Sequence, residues 1–152
     1  MLLSICIPTY NGSKYIRENL DIMLRQIIEN NLSNDIEIVV SDNCSTDSIP
    51  QIMEEYVDKY PDIIRYSRNK KNLGYDGNVM KLMQLARGKF VHLFGDDDYF
   101  APNGLFRLYK VLQNKPELSI LVLSNYYHRN NNYDEVVSRR GLQKIFSHKD
   151  RI

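Results

Sequence analysis

The sequence predicts an α/β fold, a mainly parallel sheet with helices on both faces. Two observations carry this. Short apolar, β-branched runs alternate with segments whose apolar residues recur at helical spacing, the pattern of right-handed crossovers. The unusual polar residues also collect where the strands end, and in a parallel sheet those ends share one edge.

Leu2 to Ile7 reads as the first strand, stopped by Pro8, which cannot donate to a ladder. Asn11, Gly12 and Ser13 are turn and cap residues. They launch a helix carrying Ile16, Leu20, Leu24, Ile27 and Ile28 on one face. After an asparagine-rich break comes a second strand, Ile36 to Val40, and the loop SDNCSTD, rich in side chains that bond to backbone amides. Pro50 suits a first helical turn, and Ile52, Met53, Tyr56 and Val57 give the second helix its apolar face.

Ile63 to Tyr66 is a short third strand, followed by the long polar connection RNKKNLGYDGN. Val79, Leu82, Met83 and Leu85 mark a third helix, with Arg87 and Gly88 read as its basic last turn and terminal glycine. In KFVHLFGDDDYFAP, Phe90, Val91, Leu93 and Phe94 read as a strand buried on both faces. Leu105, Leu108, Tyr109 and Leu112 form a fourth helix, and Leu118 to Leu123 a fifth strand. NYYHRNNNYDE then reads as a polar loop, and GLQKIFSHKDRI as a short amphipathic helix or the start of a further region. The sequence thus divides into a core, 1–125, and an incomplete region, 126–152.

Composition excludes some functions. With 152 residues, 43% hydrophobic and 26% charged, the chain fits one globular domain. A net charge of +1 argues against a nucleic-acid binder that works through phosphate contacts. Arg65, Arg68, Lys70 and Lys71 form a basic cluster able to meet a diphosphate, or simply a solvated loop. Cys6 and Cys44 lack metal spacing and read as reduced, which suggests a cytoplasmic protein. The apolar run of the N-terminus ends at Pro8, too short for a signal or membrane span, so attachment to the inner face of a membrane would need a further segment or a partner.

Asp96, Asp97 and Asp98 are the sharpest chemical signal. Unit charges about 4 Å apart repel by about 1 kcal/mol in water and about 4 kcal/mol near a protein surface. Three carboxylates at a strand's mouth therefore call for compensation, and a divalent cation with oxygen ligands supplies it. Four strand ends join them: Pro8, Thr9, Tyr10 and Asn11; Asp42 and Asn43; Asn72 to Asn78; and the triplet. An aromatic ring and amides for a flat base, with carboxylates and a metal for phosphate, suit a nucleotide diphosphate. Neither G-x-G-x-x-G nor a P-loop is present. His92 reads as a core or interface histidine, and His128 and His148 lack ligand spacing. Of the tyrosines, Tyr10 and Tyr75 sit in candidate loops, whereas Tyr56, Tyr60 and Tyr109 fit helix packing.

From Leu3 to about Leu123 the sequence resembles the inverting family 2 glycosyltransferases of the Rossmann-like GT-A fold. The resemblance rests on SICIPTYN, EIVVSDNCSTD, KNLGYDGN and GKFVHLFGDDDYF in that order, with Pro102 and Leu105 following. It implies metal-assisted transfer of a sugar from a nucleotide-diphosphate sugar to a glycan or lipid-linked acceptor. It implies that Pro8, Thr9, Tyr10, Asp42, Asn43, Asn72, Gly74, Asn78 and Asp96 bind the donor, with Asp96 toward the ribose. Asp97 becomes the main ligand of a Mg or Mn ion and Asp98 a supporting carboxylate.

This sequence also departs from the pattern. Asn43 replaces an acidic residue that commonly accepts the imide N–H of uracil, so uridine, thymidine and guanosine diphosphate sugars all stay open. Gly77 replaces a basic residue, and Gly95 the first aspartate of the D-x-D motif. The family's general base lies later, and no motif promotes Asp134, Glu135 or Asp150 to that role. The expected state is a homodimer or a chain lacking a C-terminal portion. A non-catalytic nucleotide-sugar-binding or assembly module is the alternative. A nucleotidyltransferase is weaker, because its glycine-rich basic loop is absent.

Overall fold

A computed structural model describes residues 1–121, 125–128, 136–140 and 145–147, with side chains described for residues 1–118. The chain divides into two compact units, Met1–Val111 and Leu112–Ile152. The sequence places its own boundary at 125/126.

The first unit is built on a four-stranded sheet. Its strands are β1 (Leu3–Thr9), β2 (Ile36–Asp42), β3 (Ile64–Arg68) and β4 (Phe90–Leu93), ordered β3-β2-β1-β4 and parallel at every pairing. The helices α1 (Ser13–Glu29), α2 (Ile49–Lys59), α3 (Gly74–Leu85) and α4 (Gly104–Asn114) alternate with them. The expected α/β architecture with a parallel sheet is therefore present. Cys6 and Val39, on one face, pack with Leu82 of α3. Alternation sends Ile5, Ile7, Ile38 and Val40 to the other face, and all four are buried. α1 and α2 lie side by side, joined by the Tyr56 hydroxyl, which donates to Asp21 at 2.7 Å.

Strand order turns the chain around once. β1, β2 and β3 step in one direction; the crossover through α3 then returns to the far side of β1, where β4 pairs. The switch point of the sheet thus lies between the carboxyl ends of β1 and β4, where open α/β sheets bind ligands.

Several local expectations are corrected. β4 is not buried on both faces: Val91 is 42% and Leu93 40% exposed. In register they share a face with Ser4 and Cys6, and α3 lies over β1 and β2, leaving that side of β4 open. Ile28 is 47% exposed, because α1 turns it away from the stripe of Ile16, Leu20, Met23 and Ile27. α3 begins at Gly74, inside the expected connection, and buries Asn78 and Leu82 but not Met83. It ends at Leu85 with Ala86 extended, so Gly88 is no helix cap. A Cβ at Gly88 would lie 2.4 Å from the Ser4 nitrogen; glycine there lets the chain run against β1.

In the second unit, β5 (Leu118–Leu121) pairs antiparallel with β8 (Ile145–Ser147), and β6 (Asn125–His128) with β7 (Val136–Arg140). The expected fifth strand is thus present over Leu118–Leu121, but the pairing described for it is antiparallel rather than parallel. The expected polar loop after Ser124 contains β6, and the expected terminal helix contains β8. Asp134, Glu135, His148 and Asp150 lie outside the described residues. Among the described residues no helix is long and apolar enough to cross a membrane.

Candidate functional site

A cavity of about 410 Å³ opens at the switch point. Pro8 and Tyr10 form the β1 side, the segment from Leu93 to Asp98 the β4 side, and Tyr75 at the start of α3 a third. Five expected site residues therefore meet here: Pro8, Tyr10, Asp96, Asp97 and Asp98. Tyr10 and Tyr75 are 51% and 65% exposed, so their ring faces are available to a flat ligand. A second concavity, about 370 Å³ beside α2, is lined by Pro50, Glu54, Val57 and Asp58 with Tyr66 of β3, and by none of the expected site residues.

The acidic turn is held from three sides. The Thr9 hydroxyl donates to Asp96 Oδ2 at 2.6 Å. Asp96 Oδ2 also lies over Gly12, where a Cβ would come within 2.0 Å of it. Asn19 of α1 donates from Nδ2 to the carbonyls of Gly95 (3.0 Å) and Asp98 (2.7 Å). These two acceptors fix the amide's orientation and leave the buried Asn19 Oδ1 without a hydrogen-bond partner among the described residues. Nothing in the sequence singles Asn19 out, since it sits mid-helix between apolar positions.

Burial pushes the Asp96 carboxyl above its ordinary pKa; the Thr9 hydrogen bond opposes this and the charge of Asp97 adds to it. Asp98 folds back so that Oδ2 accepts from the Gly95 amide at 3.1 Å. A Cβ at residue 95 would meet that oxygen at 2.8 Å, so Asp98 occupies the space a side chain at 95 would take. Behind the turn, the rings of Phe94 and Phe100 stack on each other at 4.5 Å and His92 packs tilted against both, at 5.4 and 5.7 Å. Burial lowers its pKa and Asp98 partly offsets that.

The remaining expected residues stand behind or beside the cavity. Asp42 is fully buried, accepting from the Ser45 amide and Tyr66 hydroxyl at 2.7 Å and pairing with Arg68 Nε at 3.3 Å. Burial of Tyr66 itself, followed by its hydrogen bond to Asp42 and that carboxylate's charge, drives the Tyr66 pKa upward, and Arg68 partly opposes this. Asn78 is buried, donating to the Ser41 carbonyl and accepting from the Ser41 hydroxyl and Asn69. Asn43, 4% exposed, bonds to Asn69, Asn72, Leu73 and Gly74. Asn72 and Gly74 are exposed in the segment that this network holds. Asn69 joins Asn43 to Asn78, a role the sequence hides among its many asparagines.

A parallel sheet with an open cavity at its switch point, lined by tyrosines and carboxylates, defines the class as an α/β protein of the open, singly turned type. The sequence from residue 4 to residue 151 matches the family described as Glycosyl transferase family 2, and the chain belongs to that family. It is 37% identical over 118 residues to the abequosyltransferase RfbV of Salmonella typhimurium, covering 78% of this chain and 34% of that protein. Among solved structures it superposes on S. aureus TarS with a TM-score of 0.68 at 30% identity, covering 78% of this chain and 34% of that one. It is also similar to the mannosyltransferase PcManGT from Pyrobaculum calidifontis, solved with GDP-Man and Mn2+, with TM-score 0.63, 25% identity and 72% and 32% coverage. These neighbours bear out the GT-A fold. The chain spans about a third of the length of the relatives it matches.

Proposed function

We propose that this chain binds the donor of a glycosyltransferase, a nucleotide-diphosphate sugar, in the cavity between β1 and β4. The observation that carries the reading is the meeting of Tyr10, Tyr75 and the Asp96–Asp98 carboxylates around one cavity at the switch point. TarS has been solved with UDP-GlcNAc and PcManGT with GDP-Man, which supports a donor of this class.

In this reading the base lies against the tyrosines, the ribose hydroxyls donate to Asp96, and the diphosphate reaches the outer carboxylates. Asp97 and Asp98 present hard oxygen donors suited to Mg or Mn. Among the described residues no cluster of three ligating side chains occurs, so Asp97 and Asp98 are the residues of this chain that would hold the ion. When bound, that ion supplies positive charge against the departing diphosphate. Transfer with inversion breaks the bond between the anomeric carbon and the diphosphate oxygen while an acceptor hydroxyl bonds from the opposite face. A general base takes the hydroxyl proton. We assign that base to no residue of this chain, and the acceptor is a glycan or lipid-linked hydroxyl. We place this reaction in the cytoplasm, at the inner face of the membrane when the acceptor is lipid-linked, in keeping with the reduced reading of Cys6 and Cys44.

Calorimetric titration with UDP, TDP and GDP, each with and without manganese, tests the reading. Manganese-dependent binding of at least one nucleotide is expected. Binding of none removes it, whereas binding with no sugar transfer by the full-length protein would favour a non-catalytic module.

A further inference from the structure

An asparagine carboxamide can make four hydrogen bonds, two donated from its nitrogen and two accepted by its oxygen. Asn43 makes all four within its own chain. Nδ2 donates to Asn72 Oδ1 at 2.8 Å and to the Gly74 carbonyl at 3.1 Å. Oδ1 accepts from the Leu73 amide at 2.8 Å and from Asn69 Nδ2 at 3.2 Å. The orientation is unambiguous, since a backbone amide must donate and a backbone carbonyl must accept.

Every one of these partners lies between residues 69 and 74, the segment leading into α3. Asn72 Oδ1 also accepts from the Gly74 amide at 2.8 Å, which closes the turn. Gly74 has φ of +73°, a left-handed conformation that a side chain would disfavour. The next residue is Tyr75, which lines the cavity. From the other end, Asn69 ties the network to Asn78 and so to Ser41 of β2.

We propose that Asn43 is a positioning residue that fixes segment 69–74 and carries Tyr75 to the cavity, and that no donor base is read at Asn43. A base edge would have to displace an existing bond of a side chain that is 4% exposed. Recognition then falls on the exposed ring faces of Tyr10 and Tyr75, which accept any planar base. The base-reading half of this proposal rests on the donor-site reading above; the anchoring half does not.

Two measurements on the purified chain test it. In the first, amide hydrogen exchange is followed in Asn43→Ala and in Asn72→Ala, whose exposed side chain makes loss of folding no concern. Exchange across residues 70–75 is expected to rise about tenfold while β1 and β2 stay protected. Unchanged exchange in both variants overturns the anchoring role.

In the second, manganese-supported UDP, TDP and GDP affinities are measured for Asn43→Ala and Asn43→Asp, alone and combined with Tyr75→Ala. All three nucleotides are expected to weaken by a common factor in each Asn43 variant, and that factor should fall to about one once Tyr75 is absent. A merely structural defect would persist without Tyr75. Selective change of one nucleotide by about tenfold, retained in Tyr75→Ala, would show that residue 43 reads the base. Absence of binding by the unsubstituted chain overturns the donor-site reading and the base-reading half with it, while the exchange result still decides the anchoring.

Discussion

The Thr9 hydroxyl donates a 2.6 Å hydrogen bond to the Asp96 carboxylate, linking the carboxyl end of β1 to the loop after β4 across the switch point. Thr9 is only 2% exposed, so it works on the cavity through Asp96. Its bond favours the charged carboxylate that burial disfavours. Asp96 is thereby held in one orientation at a cost in folding stability.

That cost makes Asp96→Asn a test of function against stability. The Asp96 pKa is raised in the folded state, chiefly by burial. Its contribution to stability is thus fully present below the unfolded carboxylate pKa and is lost as pH rises through the folded value. The asparagine variant should melt higher than the parent at pH 7, with the difference shrinking toward zero in acid. Nucleotide affinity should drop about 10- to 100-fold, the loss expected for hydrogen bonds to a charged group. Melting curves between pH 3 and 7 (about the carboxylate range) and calorimetry provide the check; an unchanged affinity would detach Asp96 from the ligand.

Gly12→Ala should act on the same carboxylate. The new Cβ would fall 2.0 Å from Asp96 Oδ2 and 2.8 Å from Thr9 Oγ1, so both must move, Asp96 the further. Overpacking of this kind costs about 1–3 kcal/mol. Urea denaturation should show that cost in the parent and lose most of it in Asp96→Ala, where the clashing group is gone.

Glu37→Gln is the opposite case, a carboxylate remote from the cavity. Burial would raise the Glu37 pKa, but hydrogen bonds from the Ser4 hydroxyl, the Arg87 amide and Arg65 outweigh it and hold it low. Its stabilisation is present above the unfolded carboxylate pKa and is lost as pH falls through the folded one. The substitution should cost about 1.5–3 kcal/mol at pH 7, and less in acid. Ser4 and Glu37 sit at the far ends of β1 and β2 from the cavity, so nucleotide affinity of the folded variant should not change.

How much was legible in the sequence depends on how local the signal is. The β1, β2 and α4 segments are set by apolar runs and helical spacing and form where periodicity places them, but Pro8 does not stop β1: the strand runs through it to Thr9, paired in register with a β2 that continues past Val40 to Asp42. Exposure of Val91 and Leu93 was hidden, because periodicity cannot tell a central strand from an edge strand whose open face no helix covers. Tyr10, Tyr75 and the acidic triplet were legible as strand-end chemistry. The clamps were not: Asn19, Asn69 and Tyr66 act across dozens of residues, and their types carry no motif. Gly88 illustrates the same limit, since a glycine after a basic residue fits a helix end and a close strand approach equally well.

Asp97→Ala separates the ion's role from the architecture of the turn. Unlike its neighbours, the exposed Asp97 is not the carboxylate on which Thr9 or the Gly95 amide is spent. Removing it should leave stability within about 0.5 kcal/mol of the parent, as for surface substitutions away from packed or paired groups. It also relieves the repulsion of Asp96, whose pKa should move back toward its ordinary value. Donor binding in manganese should nevertheless be lost, because a diphosphate facing Asp96 and Asp98 without a cation meets only negative charge. Calorimetry with and without manganese reads this directly: if the variant keeps the parent's manganese dependence, Asp97 is not the ligand.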